Sequence, residues 1–269
     1  MDAFFKPSPH KEAAALIAGK PVVSGKVFRA MLPELKARVF TITGIAGANV
    51  LQTVRDSVAA IPLGEQTWDE SKKEIMDALD PYLGDGAEVR AEMILRVNGF
   101  QAFSASVWRV AQADDDTTCL QYLHGECQVP TESHLALNGV ILPKDDPFWD
   151  DHYGPWGHLG CVCYARPMNP DLVDEARAEG DASDNPEDQN VIEGPALKQL
   201  HNGNLMRDGQ RHDVSAPDDP DAFRWHPDDL TMSMKDLRAK YDPEVFQEFE
   251  TKARNTKLDT GTLWTYLDW

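Results

Sequence analysis

All four cysteines and four of the eight histidines fall between residues 119 and 163, in the order Cys119, His124, Cys127, His134, His152, His158, Cys161, Cys163. Thiolates and neutral imidazoles are the ligands of tetrahedral zinc, and small loop-rich modules use such a site where the apolar core is limited. His134, Cys161 and Cys163 supply three ligands, and Cys127, Cys119, His158 or His152 would supply the fourth. The spacing is not that of a zinc finger, because no C-x₂-C pair occurs. The competing reading makes the cysteines small buried hydrophobes and the histidines hydrogen-bonding anchors of turns. A bridge between Cys161 and Cys163 would be strained, with one residue between them. In a reducing compartment the clustering favours metal over disulfides.

A second group, Asp145, Asp146, Asp150, Asp151 and His152, has the residue types of a hydrolytic site. Pro143 and Pro147 flank the first pair, however, and Asp-Pro marks a turn. The better expectation is a solvated turn. No G-x-S-x-G, H-E-x-x-H or P-loop motif occurs. No catalytic residue is assigned, and the chain is expected not to be an enzyme.

The elements that position these residues divide the chain in four. Residues 1–113 read as a helical domain. Ser8-Pro9 has the form of a helix start, with the helix ending at Gly19. A second helix is expected over residues 32–41. Val50, Val54, Val58 and Ile61 form one apolar stripe. Thr67 with Glu70 has the form of a capping box, opening a helix with Ile75, Met76, Leu79 and Leu83 that ends at Gly84 and Gly86. The longest helix is expected over residues 87–113, with Val89, Met93, Val97, Phe100, Phe103 and Val107 as its core stripe. Asp114-Asp115-Asp116 then reads as a solvated loop.

Residues 114–168 change texture: short apolar runs such as Val140-Ile141-Leu142 alternate with Gly, Pro, Asn and Asp. That predicts a compact Cys/His module with short strands. Residues 169–195 read as an acidic linker, with eight acids against one Arg between positions 171 and 190. Residues 196–269 form an extended C-terminal region with short helices, one capped by Ser233 and one opened by Asp242-Pro243. Its aromatic end, with Trp264, Tyr266 and Trp269, is suited to docking on a partner or on its own domain. The fold class is therefore α+β.

The formal net charge of −19 disfavours direct nucleic-acid binding, which needs Lys and Arg against phosphates. No run approaches the roughly 18 apolar residues of a membrane span, and no secretory signal opens the chain. The expectation is a soluble protein made in the cytoplasm.

The run His134-x₄-Gly139-Val-Ile-Leu-Pro-x-Asp-Asp-Pro-Phe-Trp-Asp-x₂-Tyr153, followed by Cys161-x-Cys163, resembles the Mu F-like family of minor head, or head morphogenesis, proteins of tailed bacteriophages. Residues 35–45 and the Arg96-Val97-Asn98 stretch are similar to upstream segments of that family, so the resemblance covers about residues 8–167. Val162 stands where relatives carry Arg, and Thr131 and His134 stand where many carry a Cys pair. The turn at residues 153–160 also departs from the usual form. The resemblance implies a protein of the phage head, made in the host cytoplasm, that assists head assembly and DNA packaging through portal or major capsid protein. From the residue inventory, the expected structural zinc is held by His134, Cys161, Cys163 and Cys127, with Cys119 or His158 as the alternative fourth ligand. Because modules of this family also occur beside effector domains, the alternative is a metal-dependent enzyme or toxin-like domain on the same Cys/His module.

Overall fold

The computed structural model describes residues 11–20, 22, 25–30, 40–42, 45, 47–125, 130–154, 161–183 and 189–216, together with 226, 227 and 243. It mixes helices with small antiparallel sheets, the α+β class expected. Two compact units divide the chain: Met1–Ala105 with Trp225–Trp269, and Ser106–Arg224. Among the described residues no helix is long and apolar enough to cross a membrane.

The first unit is helical. Helices α1 (Lys11–Ala18), α2 (Gly25–Ala30), α3 (Ala48–Leu63) and α4 (Trp68–Leu83) precede a 3-10 turn at Gly84–Gly86 and the long helix α5 (Ala87–Ala113). The α3 stripe is as expected: Val54 and Val58 are buried, and Val50 and Ile61 pack beside them. Gly64 ends α3 in the left-handed conformation, φ 72°, where a side chain would be strained. The capping box of α4 forms: Thr67 Oγ1 accepts from Glu70 N at 3.2 Å, and Glu70 Oε2 accepts from Thr67 N at 2.8 Å. Ser8-Pro9, most of the helix expected over residues 32–41, and Ser233 lie outside the described residues; Phe40, at the end of that stretch, bridges to Val22 instead.

Helix α5 has the expected bounds but buries a different face. Val89 is 72% exposed and Phe103 is exposed as well, while Ala87, Ala91, Leu95, Ala102 and Ala105 are buried. The alanines win because a small side chain lets neighbouring backbone approach closely, and close packing rewards fit over side-chain size. The boundary between the two units falls within this helix, after Ala105.

The second unit is built on a three-stranded antiparallel sheet of order β2-β1-β3, with β1 Cys119–Leu123, β2 Ile141–Pro143 and β3 Tyr164–Met168. Leu120 pairs with Leu142 on one side and Pro167 on the other; Tyr122 pairs with Ala165. Short helices α6 (Glu132–Ala136) and α7 (Phe148–His152) flank β2 in sequence. The Asp114 loop is a hydrogen-bonded turn, with Thr117 Oγ1 donating to Asp114 Oδ2 at 2.6 Å.

The stretch expected as an acidic linker carries structure. Helix α8 (Pro170–Asp181) starts at Asn169, whose Oδ1 accepts from Leu172 N at 2.9 Å, and Pro170 fits its first turn. Val173 is its buried anchor against Ile141 and Met168. Farther on, Ile141 N donates to Asn190 O and Ile192 N to Ile141 O, which covers the free edge of β2. Helix α9 (Gly194–His201) and a hairpin of β4 (Asn204–Arg207) and β5 (Gln210–Asp213) follow among the described residues. Asp208 and Gly209 take positive φ at the hairpin turn, 50° and 73°.

Candidate metal centre

Three sequence-nominated ligands converge in the second unit. His134 sits on α6; Cys161 and Cys163 lie on the segment entering β3. His134 Nδ1 is 3.6 Å from Cys161 Sγ and 3.5 Å from Cys163 Sγ. The three ligand atoms lie within 4.8 Å of one another, and all three residues are buried. Zinc–sulfur bonds of ~2.3 Å and zinc–nitrogen bonds of ~2.0–2.1 Å at tetrahedral angles put sulfur and nitrogen about 3.6 Å apart. The observed spacing is that of a tetrahedral edge, so the donor set fits a metal in both type and geometry.

The surroundings are arranged for thiolates. The backbone N–H of Cys163 bonds the Cys161 sulfur, two residues back. The Gly125 N–H and the Tyr122 hydroxyl both donate to the Cys163 sulfur. A bond from the Cys163 thiol, with His134 beside it, pulls Cys161 well below the ordinary thiol range despite its burial. Cys163 is pushed up in return: its thiol keeps the proton it donates to Cys161, burial disfavours its thiolate, and a second negative charge next to Cys161 is unfavourable. A divalent cation would remove that conflict by stabilising both thiolates.

Two glycines clasp the Cys-x-Cys backbone. A Cβ at Gly125 would overlap the Val162 carbonyl, and a Cβ at Gly154 would overlap the Cys163 carbonyl. Both glycines serve close approach, and neither has positive φ. Tyr122, Trp149 and Tyr153 are fully buried around the site, in one core cluster with Cys161 and Cys163.

The other nominated ligands are placed as follows. Cys119 begins β1, opposite Met168, whereas Cys163 precedes Tyr164 at the other end of the β1–β3 ladder. Five residues of strand span about 17 Å, so Cys119 does not reach the cluster. It packs beside Ile141, Met168 and Val173, and burial raises its pKa. His152 has both ring nitrogens engaged: Nδ1 is 3.0 Å from Phe148 O, and Nε2 is 2.8 Å from Val214 O. Its ring also stacks on Phe148 at 4.2 Å. It holds α7 against the chain after β5. Cys127 and His158, and the aromatic residues Trp264, Tyr266 and Trp269, lie outside the described residues.

Asp145 and Asp146 lie at the expected turn, though the Asp146 side chain is largely buried, and Asp150 and Asp151 lie on α7. Asp146 Oδ1 accepts from Phe148 N at 2.9 Å and pairs with His201 Nε2 at 2.8 Å. Asp145, Asp150 and Asp151 are exposed. The Asp-Asp-Pro-Phe-Trp run thus starts α7 and delivers Phe148 and Trp149 to the core, with Trp149 Nε1 donating to Pro143 O at 2.9 Å. A cleft of about 520 Å³ lies nearby, lined by Pro147, Asp151, His152, Leu200 and His201 among others; the three clustered ligands take no part in its walls. Sequence reasoning missed Tyr122, Gly125, Gly154 and His201. Their roles depend on strand register and chain crossing, which leave no local signal.

The chain is similar to the Mu-like prophage FluMu F protein of Haemophilus influenzae, 26% identical over 174 residues. The match covers 57% of this chain and 40% of that protein, so the chain spans well under half of its relative's length in the match. This similarity supports the resemblance to Mu F-like phage head proteins. No family model matches, and no solved structure matches.

Proposed function

We propose that this chain is a minor head protein of a tailed bacteriophage, acting in head assembly and DNA packaging through contacts with portal or major capsid protein. The observation that carries the reading is the similarity to the FluMu F protein, together with the His134–Cys163 run that led to the same family. In this reading it is a virion component, made in the host cytoplasm. A net charge of −19 favours protein partners with basic surfaces over direct contact with DNA.

Within that role the Cys/His module holds a structural zinc through His134, Cys161 and Cys163. Support comes from the sulfur–nitrogen spacing and from the burial of all three ligands. Buried ligands suit a closed site that staples loops; a catalytic zinc keeps a position open to substrate. When bound, the ion would supply charge to hold both thiolates and tie α6 to the strand entry of β3. The burial of these ligands therefore favours the structural reading over a metal-dependent enzyme or toxin-like domain.

The test is deletion of the gene from an inducible phage, with affinity capture of the tagged chain during assembly. Capture of portal or major capsid protein, and defective heads on deletion, are expected. Infectious particles of normal composition without this chain would sink the reading.

A further inference from the structure

Three ligands leave one tetrahedral position unassigned, and the residue following β1 is in register with Cys163. The β1–β3 ladder ends with Leu123 opposite Tyr164. Continuing that register by one residue sets His124 opposite Cys163. Directly opposed residues of an antiparallel pair project from the same face, with Cβ atoms about 4.5–5.5 Å apart. Tyr122, two residues before His124, uses that face to bond the Cys163 sulfur, and Gly125, one residue after, donates its N–H to the same sulfur. The chain is therefore fixed against Cys163 on both sides of His124. Asn138 holds it further, its Oδ1 accepting from His124 N at 2.9 Å.

From this placement we infer that His124 is the fourth ligand of the centre, completing a Cys₂His₂ site with His134, Cys161 and Cys163. The inference rests on the structural-metal reading above. Its ring stands outside the three-atom cluster in this structure and is partly exposed, so closure of the site would require the ring to turn toward it. Its ring already lies in the field of the cluster: after burial, the main influences on it are His134 and Cys161. Charge balance favours a histidine over a third thiolate. Two thiolates and two neutral imidazoles neutralise a divalent ion, whereas a third thiolate would leave a net negative charge in a buried site, which is costly. Cys119 is at the wrong end of β1, and His152 is committed to two carbonyls.

The experiment uses the full chain and its His124→Ala, His124→Cys, Cys127→Ser and His158→Ala variants. Zinc affinity is measured by competition with a chromophoric chelator, and Co²⁺ is substituted as a spectroscopic probe. The parent is expected to bind one ion with the spectrum of two sulfurs and two nitrogens. His124→Ala should weaken zinc by roughly 100-fold. His124→Cys should still bind, with stronger sulfur-to-cobalt charge transfer, which shows that the variant folds. Cys127→Ser and His158→Ala should match the parent. A His124→Ala variant that keeps the parent's affinity overturns the assignment alone, as does a three-sulfur parent spectrum lost in Cys127→Ser. A parent that takes up neither zinc nor cobalt overturns both the assignment and the structural-metal reading beneath it.

Discussion

Gly125 lies face on to Val162, so close that a single methyl group on it would overlap the Val162 carbonyl oxygen. Gly154 stands in the same relation to the carbonyl of Cys163. Two separate segments thus press on successive peptide groups of the Cys-x-Cys and hold both sulfurs toward His134. Gly125→Ala and Gly154→Ala should each cost about 1–3 kcal/mol through overpacking. Gly99→Ala, on α5 with open space around it, should instead gain about 0.5–1 kcal/mol from helix propensity. Denaturant midpoints of the three variants check this; equal midpoints for Gly125→Ala and the parent would remove the clasp.

A structural ion at His134, Cys161 and Cys163 would tie the stability of the second unit to metal. Chelation should lower the thermal midpoint of the parent, and zinc should restore it. In Cys161→Ser/Cys163→Ser the midpoint should already be low and should not respond to chelator. Calorimetry with and without chelator distinguishes this from a metal-free pair of buried thiols, for which the parent midpoint would not move.

Burial lowers the pKa of His152, against the pull of its carbonyl partners on Val214 and Phe148. In the unfolded chain His152 takes up a proton as pH falls through about 6.5. The folded protein resists until lower pH, so the unfolded state binds more protons in that interval. The stability involved is complete above about pH 6.5 and is lost as pH falls below it. His152→Phe should abolish this acid-sensitive component. It should also cost about 1–3 kcal/mol near pH 7.5, since a buried carbonyl loses its donor. Urea midpoints of parent and variant at pH 5.5 and 7.5 give the comparison.

Thr67→Ala should destabilise the helical unit by about 0.5–2 kcal/mol, because it removes the acceptor for Glu70 N. The Thr67 N–H holds Glu70 below the ordinary carboxylate range. That contribution is present above the ordinary Glu pKa and fades as pH falls through the lowered one. Helix content followed by circular dichroism across an acid titration should show the step weakened in Thr67→Ala, which keeps the backbone N–H, and absent in Glu70→Ala.

The two faces of α5 respond oppositely to substitution. Val89→Glu, on the exposed face, should change stability by no more than about 0.5 kcal/mol. Ala91→Leu, at a fully buried position, should cost about 1–3 kcal/mol. Thermal midpoints of the two variants decide which face is the core; a tolerated Ala91→Leu would restore the larger residues to that role.

Local signals were read well where local physics decides. The Thr67–Glu70 box, the Gly84 stop of α4, the bounds of α5 and the Asp-Pro turn before α7 are each set by residues within one turn of chain. Helix α8 was hidden because its acids resemble a solvated tract, and one buried Val173 anchors it. The β4–β5 hairpin carries an Asp-Gly turn, but its strands are too polar for alternation to mark them. The core face of α5 was misjudged because hydrophobicity ranks Val and Phe above Ala, while close packing selected Ala.

For the candidate metal centre the sequence by itself determined the inventory: eight Cys and His residues in one stretch, and the run between them that resembles the Mu F-like proteins. It left four candidates for one position, because ligands distant in the chain have no spacing rule to relate them. Only the tertiary structure decided that His134 meets Cys161 and Cys163 while Cys119 stands apart. The reason is register: an antiparallel ladder fixes which residues oppose one another, and the glycine clasps and the N–H groups aimed at sulfur exist only once that ladder has formed.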